Sequence, residues 1–393
     1  MNFLKGLALG VLSLLLFLCL FVFGFALTLN QTVLNPDFIV SEVDRLDIPS
    51  LAEEFLSEEI PQEELPEELR IVLVDTITKL EPIVKEQISA TIYPVFDYLL
   101  GKSQSPNLAV TLSNTILNAD FVVSLLDEID MSSLAEEFLT EEVIEEIPEE
   151  MEYLAEYRDD IVAELEPWIK EQVSIAADPV FDYLLGESQS LNVVIPLEPV
   201  MESLENTLRG AFLESPPADL ADLPQAELEQ YFDEYFQELT EPIPLTFEIN
   251  ETLLGTEVPA EIAEALAEAE GALEQARQYV GYFQLGYKIL IGFILLLILG
   301  IILINRQVKS ATRGIGIPFL TCGVFGYIST FVITHVAETR LTQLDIPTWL
   351  QTWFPQFLDD FLAPLEIFSI GLMVAGIALI IVSFVYKPRQ PSV

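Results

Sequence analysis

The 393-residue chain has few of the residues that most often build catalytic and metal sites, with one histidine and two cysteines. Because His335 is the sole histidine, a His-rich metal centre cannot form. Nucleophilic catalysis by a Ser–His or Cys–His pair is excluded within residues 29–283, which contain neither histidine nor cysteine. Cys19 and Cys322 both fall inside apolar runs, so the sequence predicts no disulfide scaffold.

Basic residues are also scarce, with 17 Lys and Arg against 63 Asp and Glu, a formal net charge of −46. Without a basic face we expect no nucleic-acid partner. The chain lacks a P-loop, a Rossmann glycine pattern and a zinc-protease motif. With so many carboxylates, no pair is marked out for acid–base chemistry. We therefore predict a protein that is not an enzyme.

Acidic and apolar residues are segregated along the chain. Residues 29–283 hold 58 acids and nine bases, a local net charge of 9 − 58 = −49. The remainder is dominated by apolar runs, and the mean hydropathy of the whole chain is +0.43. Such a chain is part membrane protein and part strongly acidic domain.

Four apolar runs are long enough to cross a bilayer, which needs about 20 residues of helix. They are residues 7–27, 289–304, 315–336 and 367–386. The first could instead be a cleaved signal peptide. Glycines in the later spans allow close helix packing, either within the chain or between copies (Gly292, Gly300, Gly323, Gly326 and Gly371).

Positive charge predicts the orientation. Six bases, with no acid among them, flank the spans on one side (Lys5, Arg306, Lys309, Arg313, Lys387 and Arg389). Because basic residues are retained in the cytoplasm, both termini are expected there. Residues 29–283 are then extracytoplasmic, in a multi-pass protein of the cell membrane.

The acidic part contains an internal repeat. Residues 27–56 match 110–139 at 18 of 30 positions, and residues 81–104 match 166–189 at 16 of 24. Each unit is predicted to open with a short strand, at 27–29 and 110–112. A helix N-capped by Asn35 or Asn118 follows.

The remainder of each unit is predicted to be helical. Ser50 with Glu53, and Ser133 with Glu136, have the spacing of capping boxes that open a second helix. A long helix with an apolar stripe follows and ends at a glycine. The glycines that end this helix are Gly101 and Gly186. The helix also carries a phenylalanine, Phe96 or Phe181, whose side chain is expected in the core.

The predicted fold class is mainly α: four transmembrane helices plus a duplicated, mostly helical extracytoplasmic domain with a few short β-strands. Strands are expected at 193–197 and 244–250, within a small central sheet. The predicted divisions are the first span or signal peptide (1–28), repeat one (29–106), repeat two (107–190), a degenerate third unit (191–255), a helical stalk (256–288), three spans (289–386) with an outer amphipathic loop (337–366), and a tail (387–393).

Paired acids between the halves of each repeat have two interpretations. Hard cations prefer carboxylate oxygens, so the pairs could bind a divalent cation such as Ca²⁺ weakly. The alternative, which the lack of an EF-hand loop favours, is a solvated acidic face or adaptation to a high-salt habitat. The candidate ligands are Glu63, Glu64, Glu67, Glu68, Glu145, Glu146, Glu149 and Glu150.

The outer loop carries an aromatic amphipathic segment at 346–362, with Trp349, Trp353 and Phe357. Aromatic residues favour the membrane interface, so a reentrant or surface-lying helix is expected; a partner-binding surface is the alternative.

The repeat start Asn35-Pro36-Asp37-Phe38 and the repeat end Tyr98-Leu99-Leu100-Gly101 resemble repeats in uncharacterised prokaryotic membrane proteins with exported helical domains. The resemblance covers about residues 27–200. It implies no activity, cofactor or site residue.

These patterns favour a non-enzymatic cell-envelope protein. Its acidic domain would bind or scaffold a protein partner in the membrane or envelope, including as a subunit of a membrane complex. Two alternatives stay open: an extracytoplasmic cation or ligand sensor that acts through a partner, and an accessory subunit of a transporter or channel.

Overall fold

The computed structural model describes residues 2–59, 67–129, 158–214, 216–217, 220, 223–305, 307–341 and 347–385. These residues are mostly helical, and they include a single pair of strands. In chain order the elements are α1 (Asn2–Gln31), α2 (Pro36–Asp44), α3 (Ile48–Glu59), α4 (Glu67–Leu99), α5 (Leu108–Ser113), α6 (Ala119–Glu128), α7 (Arg158–Leu184), β1 (Asn192–Pro196), α8 (Glu198–Glu214), α9 (Gln225–Thr240), β2 (Thr246–Asn250), α10 (Glu251–Leu254), α11 (Val258–Asn305), α12 (Val308–Leu341) and α13 (Thr348–Val385).

The chain forms two compact units. The membrane unit comprises residues 1–47, 92–106 and 272–393, and the helical unit comprises residues 48–91 and 107–271. Helices α4 and α11 each contribute residues to both units. The region predicted as a stalk is helical from Val258, within α11, and this helix continues into the second span without a break.

Four of the described helices, α1, α11, α12 and α13, are long and apolar enough to cross a membrane, as predicted. Large apolar side chains on them point away from the protein; Leu295 and Leu296 are each 62% exposed. Such surfaces are stable in a lipid bilayer rather than in water. The chain therefore belongs to the class of multi-pass membrane proteins.

Glycines bring α12 and α13 into close contact. A Cβ atom on Gly323 would lie 2.6 Å from the Ser369 carbonyl oxygen, and one on Gly376 would lie 2.6 Å from the Leu320 backbone nitrogen. Gly323 therefore serves packing within one chain, one of the two expected uses. Gly371 does not serve this packing, because a Cβ atom on it would have no described atom within 4 Å.

The strands predicted at 27–29 and 110–112 are wrong. The first segment lies in α1 and the second in α5. Thr28, inside the first segment, donates a hydroxyl hydrogen bond of 3.1 Å to the Gly24 carbonyl four residues earlier. Thr32 and Thr115, just after the two segments, do the same at 2.7 Å. Threonine favours strands, but its hydroxyl can bond the preceding helical turn, and three alternating residues are too few to separate the two structures.

The predicted N-caps are confirmed in both copies of the repeat. The Asn35 side-chain oxygen accepts a hydrogen bond from the Asp37 N–H, and Pro36 occupies the first turn of α2. The Asn118 oxygen accepts from the Phe121 N–H at 2.8 Å.

The long helices α4 and α7 end in the same way, as predicted. Gly101 and Gly186 have φ values of 76° and 75°. The N–H after each glycine bonds to an aspartate carbonyl five residues earlier, Asp97 or Asp182, at 2.8 Å. This pattern is the Schellman motif, which favours glycine because it lacks a Cβ.

Core side chains of the long helices differ from the prediction. Phe96 and Phe181 are half-buried, whereas Tyr98 and Tyr183 are 5% and 4% exposed. In α7 the buried face contains Ala176 and Tyr183, which are seven residues apart and so lie on the same side of the helix. Phe181 lies about 200° away from Tyr183 around the helix.

The Ser50–Glu53 capping box is also wrong, because α3 begins at Ile48 and Ser50 is already inside it. Pro49 in the first turn marks the true start. The Ser133–Glu136 pair lies outside the described residues.

The third unit contains the one sheet of the described chain. Strands β1 and β2 pair antiparallel, with Val194 opposite Glu248. Two of the four expected strands are thus confirmed, and the sheet is a ribbon rather than a central sheet. Helices α8 and α9 pack beside each other around Phe212 and Phe232.

The aromatic segment at 346–362 is expected as a separate helix in the outer loop, and the structure places it differently. From Thr348 it is helical, but it forms the first part of α13 and continues into the fourth span. It is therefore neither a reentrant segment nor a separate helix in a loop.

Candidate interaction surfaces

Both repeat copies place the start of their short helix on the long helix. In the second copy the Ala119 N–H donates to the Asp178 carboxylate at 2.9 Å. In the first copy Pro36 occupies the position of Ala119 and has no N–H to donate. There Tyr93 replaces Asp178, and its hydroxyl donates to the Asp37 carboxylate at 3.1 Å. The change from Ala119 to Pro36 thus goes together with the change from Asp178 to Tyr93. Both copies keep a contact between the short and the long helix, but through different hydrogen bonds.

The helical unit has an open apolar cavity of about 340 Å³, here called the ribbon groove. Its walls come from α6, α7 and the strand pair. Most lining side chains are aliphatic, including Val122, Ile169, Val173, Val180, Ile195 and Ile249. An open cavity of this size exceeds the voids found in a packed core, so the surface is suited to a bound side chain or ligand.

Trp168 also lines the ribbon groove, whose exposed surface is apolar. Its indole N–H is buried and has no hydrogen-bond partner among the described residues. Leaving such a donor unpaired costs about 1–3 kcal/mol. In the first copy the corresponding residue is Ile83, which has no donor. The second copy therefore presents an aromatic ring where the first copy has an aliphatic side chain.

The charged residues beside the groove are mainly acidic. Lys170, two residues from Trp168, is paired with Glu166 at 2.8 Å and Asp127 at 2.9 Å. These hydrogen bonds raise the pKa of Lys170. Because that cation is already neutralised, the exposed Glu171 contributes uncompensated negative charge next to the groove.

A second cavity in the helical unit, of about 550 Å³, is polar. It lies between α4, α5 and α6, with the side chains of Glu86, Gln87, Asn114 and Asp120 on its walls. The Asn114 amide already donates to the Val110 carbonyl at 2.7 Å. This cavity offers acceptors and donors to a small polar ligand.

In the membrane unit, Glu42 is an unusual buried acid. Its side chain is 5% exposed, and one carboxylate oxygen accepts a hydrogen bond from Arg45 at 3.0 Å. The other oxygen is buried without a partner among the described residues. Burial raises the pKa of Glu42, and the Arg45 guanidinium opposes this effect.

Glu42 and Arg45 attach α2 to the aromatic part of α13. The Trp353 indole N–H donates to the Glu42 carbonyl at 3.3 Å, and Arg45 also pairs with Asp360. The rings of Phe38 and Phe357 are 6.0 Å apart. In the second copy, Leu125 stands at the position of Glu42 and Glu128 at the position of Arg45. The same ion pairs therefore cannot form there, and this attachment belongs to the first copy alone.

The predicted cation ligands are not brought together by any described contact. Glu63, Glu64, Glu145, Glu146, Glu149 and Glu150 lie outside the described residues, and the side chains of Glu67 and Glu68 do too. In the part of the chain that the structure describes, no group of three or more His, Cys, Asp or Glu side chains could hold a metal ion.

Comparisons with protein-family models, with curated proteins and with solved structures gave no match.

Sequence reasoning missed Trp168 and the Glu42–Arg45 pair. A signal for both was present in the repeat alignment, because each residue departs from its counterpart: Trp168 from Ile83, and Glu42 from Leu125. Positions where two copies differ in chemistry point to contacts that only one copy makes.

Proposed function

We propose that this protein is a non-enzymatic membrane protein of the cell envelope whose acidic part binds a protein partner. The observation that carries the proposal is the ribbon groove, an open apolar surface lined by Trp168 and with acidic surroundings. We propose that its occupant is a basic amphipathic segment of an envelope or membrane protein. Apolar side chains of that segment would fill the groove, and its Lys or Arg residues would face the surrounding acids.

We also propose that the acidic part is a duplicated extracytoplasmic domain. The matched N-caps, glycine helix ends and helix contacts of the two copies support the duplication. The six bases flanking the spans support the orientation, with both termini in the cytoplasm. In this arrangement the ribbon groove faces the envelope.

Photo-crosslinking from native membranes tests the proposal. A photoreactive residue at Val173 lies in the ribbon groove, and one at Ile88 occupies the corresponding position of the first copy as a control. We expect one protein species that crosslinks from position 173 and not from position 88. That species should carry a Lys- or Arg-rich amphipathic segment.

Two variants sharpen the test. Trp168→Ile installs the first-copy residue, so it should keep the fold and remove the crosslink. Rising NaCl should also weaken the crosslink, because salt screens opposite charges. Equal crosslinking from both positions, or a crosslink that survives Trp168→Ile, would contradict the proposal.

The polar cavity favours a second candidate, an extracytoplasmic sensor of a small polar ligand. Glu86 and Asp120 provide two carboxylates there, and Gln87 and Asn114 provide amides. A ligand bound at this cavity would raise the melting temperature of the full chain, and Glu86→Gln with Asp120→Asn should remove that rise. A rise that persists in the double variant would place the ligand elsewhere.

A further inference from the structure

A groove between two membrane helices combines an apolar wall with one cation. The groove, about 410 Å³ in volume, lies between α1 and α12 and is here called the span groove. Leu14 and Ile317 form exposed apolar walls, and buried Pro318 lines it as well. At the far end the rings of Phe17 and Phe325 meet edge to face, with centroids 6.2 Å apart.

Arg313 lines the near end of the span groove. Its side chain is exposed, and it forms no ion pair in the part of the chain that the structure describes. The sequence from 289 to 336 contains no Asp or Glu that could neutralise it. Beside it, Ser13 donates a hydrogen bond to the Gly314 carbonyl at 3.1 Å, which holds the two helices together.

The length of the groove matches one lipid chain. Arg313 and Phe325 are twelve residues apart on one helix, a rise of about 18 Å. One leaflet of a ~30 Å hydrocarbon core is about 15 Å thick. An acyl chain that starts at Arg313 and crosses one leaflet therefore lies along about ten of these twelve residues and ends close to the Phe17–Phe325 contact.

We propose that the span groove is a binding site for an anionic phospholipid. Its phosphate lies at Arg313, and one acyl chain lies against Leu14, Ile317 and Phe325. The charge of Arg313 selects an anionic headgroup, because a basic pocket between spans attracts negative lipid. The apolar walls distinguish a lipid from free phosphate, which would gain nothing from them.

Native mass spectrometry of the purified full chain tests this site. The chain is titrated with phosphatidylglycerol or phosphatidylcholine of identical acyl chains, and with inorganic phosphate. We expect tighter binding of phosphatidylglycerol than of phosphatidylcholine, and no binding of phosphate. Arg313→Gln should weaken phosphatidylglycerol binding about fivefold, the equivalent of ~1 kcal/mol per basic residue.

Two further variants complete the experiment. Lys309→Gln removes the same charge four residues away, outside the span groove, and should weaken binding less than twofold. Arg313→Lys should keep most of the preference, and Arg313→Met replaces Arg313→Gln as the charge-removing variant if Arg313→Gln does not fold. Equal losses in Arg313→Gln and Lys309→Gln would show diffuse attraction and overturn the site. A wild type without lipid preference, a preference that survives Arg313→Gln, or binding of phosphate alone would overturn it too.

Discussion

Replacing Glu42 by leucine, the residue that the second copy has at Leu125, is expected to stabilise the protein. One carboxylate oxygen of Glu42 is buried and has no partner within the described part of the chain, which costs about 1–3 kcal/mol. The substitution also removes the hydrogen bond to Arg45, but that guanidinium is 43% exposed and keeps Asp360 as a partner. Apolar replacement of a whole buried ion pair is often stabilising by about 1–4 kcal/mol, and here the remaining Arg45 is solvated and still paired with Asp360, so no uncompensated buried charge is left. We expect a net gain of ~1–3 kcal/mol at pH 8.

The gain should depend on pH with a definite sign. Burial raises the pKa of Glu42 above its ordinary value of 4.5, although Arg45 lowers it in part. A carboxyl of this kind stabilises the folded chain fully below the unfolded pKa. It loses that contribution as pH rises through the folded pKa. The advantage of Glu42→Leu over the wild type is therefore largest at pH 8 and shrinks toward pH 5.

Thermal unfolding of the full chain in detergent, followed by tryptophan fluorescence, measures the effect. Trp353 contacts the Glu42 backbone and reports on this region. Each kcal/mol should shift the melting temperature by roughly 2–4 °C for a unit of 150–250 residues. Comparing variant with wild type at each pH cancels the effect of the other carboxylates.

Arg45→Met is the matched control and should have the opposite sign. It leaves Glu42 buried without its cation, so the melting temperature should fall, most strongly at pH 8. If Glu42→Leu lowers the melting temperature at pH 8, the ion pair is a net favourable interaction and the reasoning is refuted. A gain that does not change with pH would refute the raised pKa.

Three further predictions follow from the packing, the topology and the charge. Gly323→Ala should lower the melting temperature, because a Cβ there would lie 2.6 Å from a backbone oxygen, whereas Gly371→Ala should change little. A cysteine in place of Gln104 should be labelled by an impermeant reagent on intact cells, and one in place of Ser310 should not; the reverse pattern would refute the topology. The melting temperature of the full chain should rise with NaCl, because salt screens repulsion among 63 acids against 17 bases. If millimolar Ca²⁺ adds a rise beyond that of matched ionic strength, a specific cation site exists.

Local features were determined by the sequence alone. The four spans follow from the length of the apolar runs, since a bilayer leaves a chain few alternatives to helix. The caps at Asn35 and Asn118 and the helix ends at Gly101 and Gly186 follow from side-chain chemistry within a few residues. Such features need no distant partner to form.

The remaining features depended on contacts between residues far apart in the chain. The segment at 27–29 is helical because it continues α1, and Tyr98 rather than Phe96 is buried because the packed face of α4 lies on that side. Glu42 is a buried acid only because α2 lies against Trp353, more than 300 residues later. The ribbon groove exists because the strand pair meets α7. Local propensity carries no information about these pairings, so only the tertiary structure decided them.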